Sequence, residues 1–162
     1  MTTFNLTQNF KIVPLLKPAA DAAGRSSGFI TLKNTYKAYV ICYVAQGNLA
    51  PVTFSLQQAT KVSGVGAKAL SGNARIWYLD NADTGDTLVQ QASATSFTTS
   101  AALTSKMVVF ELVPAEILDI TNGYRSINVS TNASSASNVT SALAEIGPLF
   151  FAQATPASAL VD

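Results

Sequence analysis

Residues 36–44 read YKAYVICYV, and apolar or aromatic side chains fill nearly every position of this stretch. A β-strand sends successive side chains to opposite faces. One face then holds Tyr36, Ala38, Val40, Cys42 and Val44, and the other holds Tyr39, Ile41 and Tyr43. Because both faces are apolar, the pattern predicts a strand that is buried between two layers.

The same period of two recurs along the chain. PVTFSLQQA (51–59) alternates, with Val52, Phe54 and Leu56 predicted to face inward. Four more segments have strand composition: ARIWYLD (74–80), KMVVFELV (106–113), RSINVST (125–131) and NVTSALAEIG (138–147). PAEILDI (114–120) predicts one helical turn, with Pro114 at its first position. These segments predict an all-β fold, an antiparallel β-sandwich of jelly-roll or immunoglobulin-like topology.

The two ends of the chain differ from its middle. Both are apolar but interrupted by proline, which is unusual for central strands and for disordered tails. We expect a sandwich domain over residues 25–147, with extended arms at 1–24 and 148–162. The arms either lie on a neighbouring subunit or pack on their own domain. The predicted assembly contacts are their large apolar residues: Phe4, Leu6, Phe10, Ile12, Leu15, Leu16, Phe150 and Phe151.

Composition argues against most catalytic chemistry. The chain has no histidine, so catalytic triads, Cys–His pairs and zinc sites with histidine ligands are excluded. Its one cysteine, Cys42, lies in an apolar run and is expected to be buried and inert. Ten Lys and Arg residues against nine Asp and Glu residues form no basic block for nucleic acid. No segment has the length of a membrane span. We expect no enzymatic activity, no cofactor, and no nucleic-acid or membrane partner.

Low charge points toward assembly. Only 12 % of residues are charged and 48 % are hydrophobic, so part of the surface is expected to be covered by other subunits.

Three local motifs have a plain structural interpretation. GVGAKA (64–69) imitates a phosphate-binding loop but precedes a turn and a strand rather than a helix. DNADTGD (80–86) lacks the ligand spacing of a calcium loop, although an irregular metal site stays open there. INVSTNASSASNVTSA (127–142) contains three Asn-x-Ser/Thr triplets, which we interpret as an outward polar face at Asn128 and a polar hairpin.

Several segments together resemble a family of small structural proteins encoded among the head genes of tailed bacteriophages and prophages. They are FITLKN (29–34), VTFSLQQATKVSGVGAKAL (52–70), DTLV (86–89), VVFELVPAEILDITNGYRSINVSTNAS (108–134) and FAQATPASALVD (151–162). The resemblance implies a virion component beside the major capsid protein, one that decorates or cements the shell. It brings no catalytic or ligand residues with it.

The leading hypothesis is therefore a capsid decoration or cement protein. It would be made in the bacterial cytoplasm, located on the capsid surface, and associated with itself (a trimer being one option) and with the major capsid protein. The alternatives are a tail or connector component and a carbohydrate-binding module that uses exposed aromatic residues such as Trp77 and Tyr78.

Overall fold

The computed structural model describes residues 5–148 and 157–162, which form two antiparallel sheets of six strands each. In spatial order, sheet A contains β1 (Lys11–Ala20), β12 (Asn138–Ile146), β4 (Ala38–Gln46), β10 (Ser105–Leu112), β7 (Ala74–Leu79) and β8 (Val89–Ala94). At the centre of sheet B, β11 (Ser126–Thr131) pairs with β5 (Thr53–Ala59). Four short strands flank them: β2 (Arg25–Ser26), β3 (Ile30–Thr31), β6 (Lys68–Ala69) and β9 (Ser96–Thr98). The predicted all-β sandwich is confirmed.

The strand order decides between the two topologies that the sequence leaves open. Most successive strands cross from one sheet to the other, so β1, β12, β4 and β10 are neighbours in sheet A and β2, β11, β5 and β6 in sheet B. This is the arrangement of an eight-stranded jelly roll. Strands β7 and β8 widen sheet A beyond β10.

The core lies between the sheets and follows the predicted alternation. Phe54 and Leu56 of β5 meet Val108 and Phe110 of β10 in one cluster of buried residues. Three of these four side chains are fully buried and Leu56 is 2 % exposed. Most of the strand burial pattern therefore follows from the period of two in the sequence.

Two short helices complete the described elements: α1 (Leu6–Asn9) and α2 (Pro114–Ile117), the latter followed by a 3₁₀ turn at Ile120–Asn122. The predicted helical turn is confirmed, with Pro114 at its start and the acidic Glu116 in its first turn. In the described ranges, no helix has the length and apolar character needed to cross a membrane.

The prediction that β4 is buried on both faces is wrong. Ala38, Val40, Cys42 and Val44 are fully buried, as predicted. Tyr39 and Ile41 are half-buried, however, and Tyr43 is 37 % exposed. Tyr36, which precedes the strand, is 66 % exposed. The physical reason is that the described residues form two layers only, so the second face of β4 is on the outside of sheet A.

The described parts of both chain ends pack on the chain's own domain. Residues 11–20 form β1, which pairs with β12 at the edge of sheet A, where Pro14 and Pro18 are tolerated. At the other end, the Ala159 carbonyl accepts a hydrogen bond from the Thr31 amide at 2.8 Å. The Asp162 carboxylate accepts one from the Val62 amide at 2.9 Å. The division at residue 24 falls in the turn between β1 and β2, while residues 1–4 and 149–156 lie outside the described residues.

The Asn-rich connection between β11 and β12 is not the predicted hairpin, because β11 belongs to sheet B and β12 to sheet A. It crosses from one sheet to the other and is anchored by side-chain hydrogen bonds. Asn138 is fully buried. Its Oδ1 accepts from the Asn48 amide at 3.0 Å and its Nδ2 donates to the Ala50 carbonyl at 2.9 Å. Asn128 does not face solvent as predicted, because it is 3 % exposed and its Nδ2 donates to Ser26 Oγ at 3.0 Å. Neither amide nitrogen is free to carry a glycan.

Candidate functional site on the outer face of sheet A

The outer face of sheet A carries an apolar surface that no described residue buries. We call it the apolar face. It consists of Ile12, Pro14, Tyr39, Ile41, Tyr43, Trp77, Leu79, Met107, Val109 and Leu143, all of which are exposed or half-buried. The alternation of strands explains why it exists: residues one position away in sequence, such as Val108 beside Val109, form the core.

A central row of the apolar face crosses the whole sheet. Cross-strand partners place Pro14 beside Leu143, Leu143 beside Ile41, and Ile41 beside Val109. Val109 in turn lies beside Trp77. The row ends on the edge strand β8 at a polar residue, Gln90. Five consecutive strands thus contribute one apolar side chain each.

A second row, nearer the start of β10, is also mostly apolar. Tyr43 of β4 lies beside Met107 of β10, and Met107 lies beside Leu79 of β7. On the other side of Tyr43, β12 contributes Ser141.

The third row carries the charges of this face. It contains Ile12, Glu145, Tyr39, Glu111 and Arg75 in cross-strand order. The Glu111 carboxylate is contacted by two cations, the Lys37 Nζ at 2.6 Å and the Arg75 guanidinium at 3.3 Å. The Trp77 Nε1 donates to the same carboxylate at 3.4 Å.

This arrangement shifts the pKa values of Glu111 and Lys37. The hydrogen bond from Lys37 is the main cause that holds the pKa of Glu111 below its ordinary value, although burial opposes the shift. The same bond raises the pKa of Lys37. Because one carboxylate serves two cations, the Glu111 end of the row has an excess of positive charge.

The outer face of sheet B is polar by contrast. Its central strand β5 presents Thr53, Ser55 and Gln57 outward. Ser126 and Asn128 of the paired β11 are on the same side of the sheet but are buried. The two outer faces of the sandwich therefore differ in kind, and the apolar one is the candidate functional site.

The predicted assembly contacts are divided between this face and other places. Ile12 is on the apolar face and is 46 % exposed. Leu6 of α1 is also 46 % exposed, and Phe10 is half-buried at the start of β1. Leu15 packs against the core and Leu16 is part of it, 5 % exposed, so both stabilise the chain's own domain. Three further predicted contacts lie outside the described residues: Phe4, Phe150 and Phe151.

Sequence reasoning misses most of the apolar face. Ile41, Val109 and Leu143 sit in strands with apolar residues on both sides of the alternation, a pattern that in β4 predicts double burial. The number of predicted strands is enough for two sheets but not for a third layer. The second face of an apolar strand such as β4 could therefore have been predicted to lie on the outside of the sandwich.

The residues considered for chemistry are engaged structurally. Burial raises the pKa of the Cys42 thiol and keeps it in its neutral form. In the 80–86 loop, the Ser100 and Tyr78 hydroxyls donate to the Asp80 carboxylate and lower its pKa, while the Asp83 carboxylate accepts from the Ser105 amide. Within the described residues, no three Asp, Glu, Cys or His side chains are grouped to hold a metal ion.

Trp77 and Tyr78 point to opposite sides of β7. Tyr78 packs on Phe97 with ring centroids 4.7 Å apart, in contact with the core, whereas Trp77 is on the apolar face. They cannot form one stacking platform together.

Comparison with known proteins gives only weak likenesses. No family model matches the chain, and no curated protein matches it. The SPBc2 prophage-derived protein YomS is similar in structure, with a TM-score of 0.48 and 10 % identity over 85 % of this chain and 91 % of that one. The Tobacco streak virus coat protein has a TM-score of 0.34 and 11 % identity over 96 % of each chain.

A third similar structure is a putative sugar binding protein from Bacteroides thetaiotaomicron VPI-5482. Its TM-score is 0.27 and its identity is 9 %, over 76 % of this chain and 65 % of that one. All three TM-scores are below 0.5, so none of these likenesses decides a function.

Proposed function

We propose that the protein is a non-enzymatic structural component of a tailed-phage virion, and specifically a decoration or cement protein of the capsid. The observation that carries the proposal is the apolar face, whose central row runs across five strands without a charge. The sequence resemblance to small phage head proteins supports the same conclusion.

An apolar face of this kind needs a protein partner. Contiguous exposed apolar surface is uncommon on monomers and is typical of interfaces. Its side chains come from rigid, paired strands, so the surface is already formed before any partner binds and little conformational entropy is lost on binding.

A cement protein acts by adding buried area across subunit boundaries. Each copy contributes modestly, and repetition over a symmetric shell multiplies the contribution. The charge distribution suits contact with protein rather than packaged nucleic acid, because ten cationic and nine anionic residues give a net charge of only +1.

Copy number per particle tests this proposal. Quantitative mass spectrometry of purified virions from the source phage or induced prophage should find hundreds of copies, in a simple ratio to the major capsid protein. A count of a few dozen or fewer would place the protein in the neck, tail or vertices. Absence from particles would overturn the virion assignment altogether.

A further inference from the structure

We propose that the apolar face binds the same face of a second copy of this chain, around a two-fold axis that runs parallel to the strands between β4 and β10. The inference rests on the proposed function and deepens it by naming the partner of the apolar face. The resulting symmetric pair covers both apolar faces, and the remaining surface of the pair would contact the capsid.

The position of the axis follows from the strand order. β4 and β10 are the two middle strands of sheet A, with β12 and β1 on one side and β7 and β8 on the other. A two-fold axis between them places β4 of one copy over β10 of the second copy, and β12 of one copy over β7 of the second copy. Such an interface is isologous, so every contact occurs twice.

This axis brings apolar residues together. In the central row, Ile41 of one copy lies opposite Val109 of the second copy, and Leu143 lies opposite the second copy's Trp77. In the second row, Tyr43 lies opposite Met107 of the second copy. Two sheets packed face to face, about 10 Å apart, interdigitate such side chains as they do inside a sandwich.

The charges of the third row are complementary under the same axis. Glu145 on β12 and Arg75 on β7 are three strands apart, about 14 Å, which is too far for a bond within one copy. The two-fold axis exchanges the places of β12 and β7. Glu145 of each copy then faces Arg75 of the other.

Arg75 is free enough to form an ion pair with Glu145 of a second copy. Its side chain is 56 % exposed, and its carboxylate partner Glu111 is held more closely by Lys37, at 2.6 Å against 3.3 Å. Glu145 is half-buried on the same face. Glu145 on β12 and Arg75 on β7, which lie on opposite sides of the axis in one row, therefore favour the two-fold pairing over a random contact of apolar surfaces.

The area is sufficient for a stable pair. Six strands about 4.8 Å apart, with the lengths observed here, give a face of roughly 700 Å² per copy. Specific interfaces of standard size bury about 800 Å² per partner.

Charge reversal in two separate variants tests the contact directly. Glu145→Lys alone places the new ammonium group opposite Arg75 of the second copy. Arg75→Glu alone places the new carboxylate opposite Glu145 of the second copy. Because the interface is symmetric, each repulsive contact occurs at two positions. We expect each variant to raise the dimer dissociation constant about tenfold or more. In a mixture of the two, the heterodimer holds one contact between the introduced lysine and the introduced glutamate and one contact between the original Arg75 and Glu145. Both contacts are attractive, so the heterodimer should form with nearly the affinity of the unchanged protein.

Sedimentation velocity over a range of concentrations measures all four samples. A second test, Val109→Asp, should raise the dissociation constant by about 100-fold because each copy buries an unpaired charge. Its matched control is Gln57→Asp on the outer face of sheet B, which should leave association unchanged. Unchanged protein that stays monomeric, or variants that remain dimers alone, would overturn the inference, as would a mixture that shows no recovery.

The result is separable from that of the virion experiment. Dimers in solution together with absence from particles would refute the proposed function and leave the two-fold contact standing. Hundreds of copies per particle together with a monomer in solution would do the reverse.

Discussion

The outer faces of the two sheets differ although their inner faces are alike. Both sheets send branched and aromatic side chains into one shared core. Outside, β5 of sheet B presents Thr53, Ser55 and Gln57, whereas β10 of sheet A presents Met107 and Val109. The inner faces account for the stability of the sandwich. Under the proposed function, the polar residues of β5 face water and the apolar face binds another protein.

The largest expected effect is a difference in unfolding free energy between substitutions on the two faces of β10. Val108 is fully buried and Val109 is half-buried on the apolar face. Val108→Asp places an unpaired charge in the core and should lower the free energy of unfolding by about 4 kcal/mol or more. Val109→Asp should cost less than about 1 kcal/mol in the dilute monomer. Urea unfolding measures both, and equal losses would contradict the assignment of faces.

The next effect concerns polar residues that belong to the fold rather than to assembly. Asn138→Ala leaves the Asn48 amide and the Ala50 carbonyl without their partners, and should cost about 2 kcal/mol of unfolding free energy. Ser137→Ala at the neighbouring exposed position should change little. Neither variant should alter self-association by sedimentation. A loss of association without a loss of stability would show that this connection between β11 and β12 is an interface too.

A smaller effect follows from the ion pair at the border of the apolar face. The folded-state pKa of Glu111 lies below its ordinary value of 4.5, so its contribution is present above that pH and is lost as the pH falls through the folded-state value. Glu111→Gln should remove about 1 kcal/mol at neutral pH and flatten the acid limb of the stability curve. Thermal unfolding between neutral and acidic pH measures this, with the exposed Glu116→Gln as control. Parallel acid limbs for Glu111→Gln and unchanged protein would contradict it.

The smallest effect is spectroscopic. Trp77 is the one tryptophan in the chain and lies in the central row. Its acrylamide quenching should decrease as protein concentration rises, because Leu143 of a second copy covers it. In Glu145→Lys it should stay quenchable under the same conditions. Concentration-independent quenching alongside confirmed dimers would move the interface away from the apolar face.

Most strands can be predicted because alternation is a local property of the chain. The inward set of β5 follows directly from its residues. The burial of β11 does not alternate, because Asn128 is buried as well as Ile127 and Val129. The sequence does not predict β8, since VQQASA has little apolar alternation and pairs along the edge of sheet A. The prediction of an arm over β1 rests on Pro14 and Pro18, which argue against a central strand but do not exclude an edge strand.

The candidate site can be predicted only in part because it depends on the number of layers. Ile41 looks the same in sequence whether a third layer covers it or a partner does. Ile12 is predicted as an assembly contact because it lies in the apolar segment near the start of the chain. The same argument also selects Leu16, which packs in the core. Cross-strand register, which aligns Leu143, Ile41 and Val109 into one row, is set by tertiary pairing and leaves no period in the sequence.

The role of the apolar face is tested most directly by the number of copies in virions assembled with substituted protein. Particles made with Val109→Asp and with Gln57→Asp should be compared by quantitative mass spectrometry with particles made with unchanged protein. We expect hundreds of copies for unchanged protein and for Gln57→Asp, and a loss of most copies for Val109→Asp. Equal incorporation of the two variants would contradict the claim that the apolar face of sheet A builds the assembly.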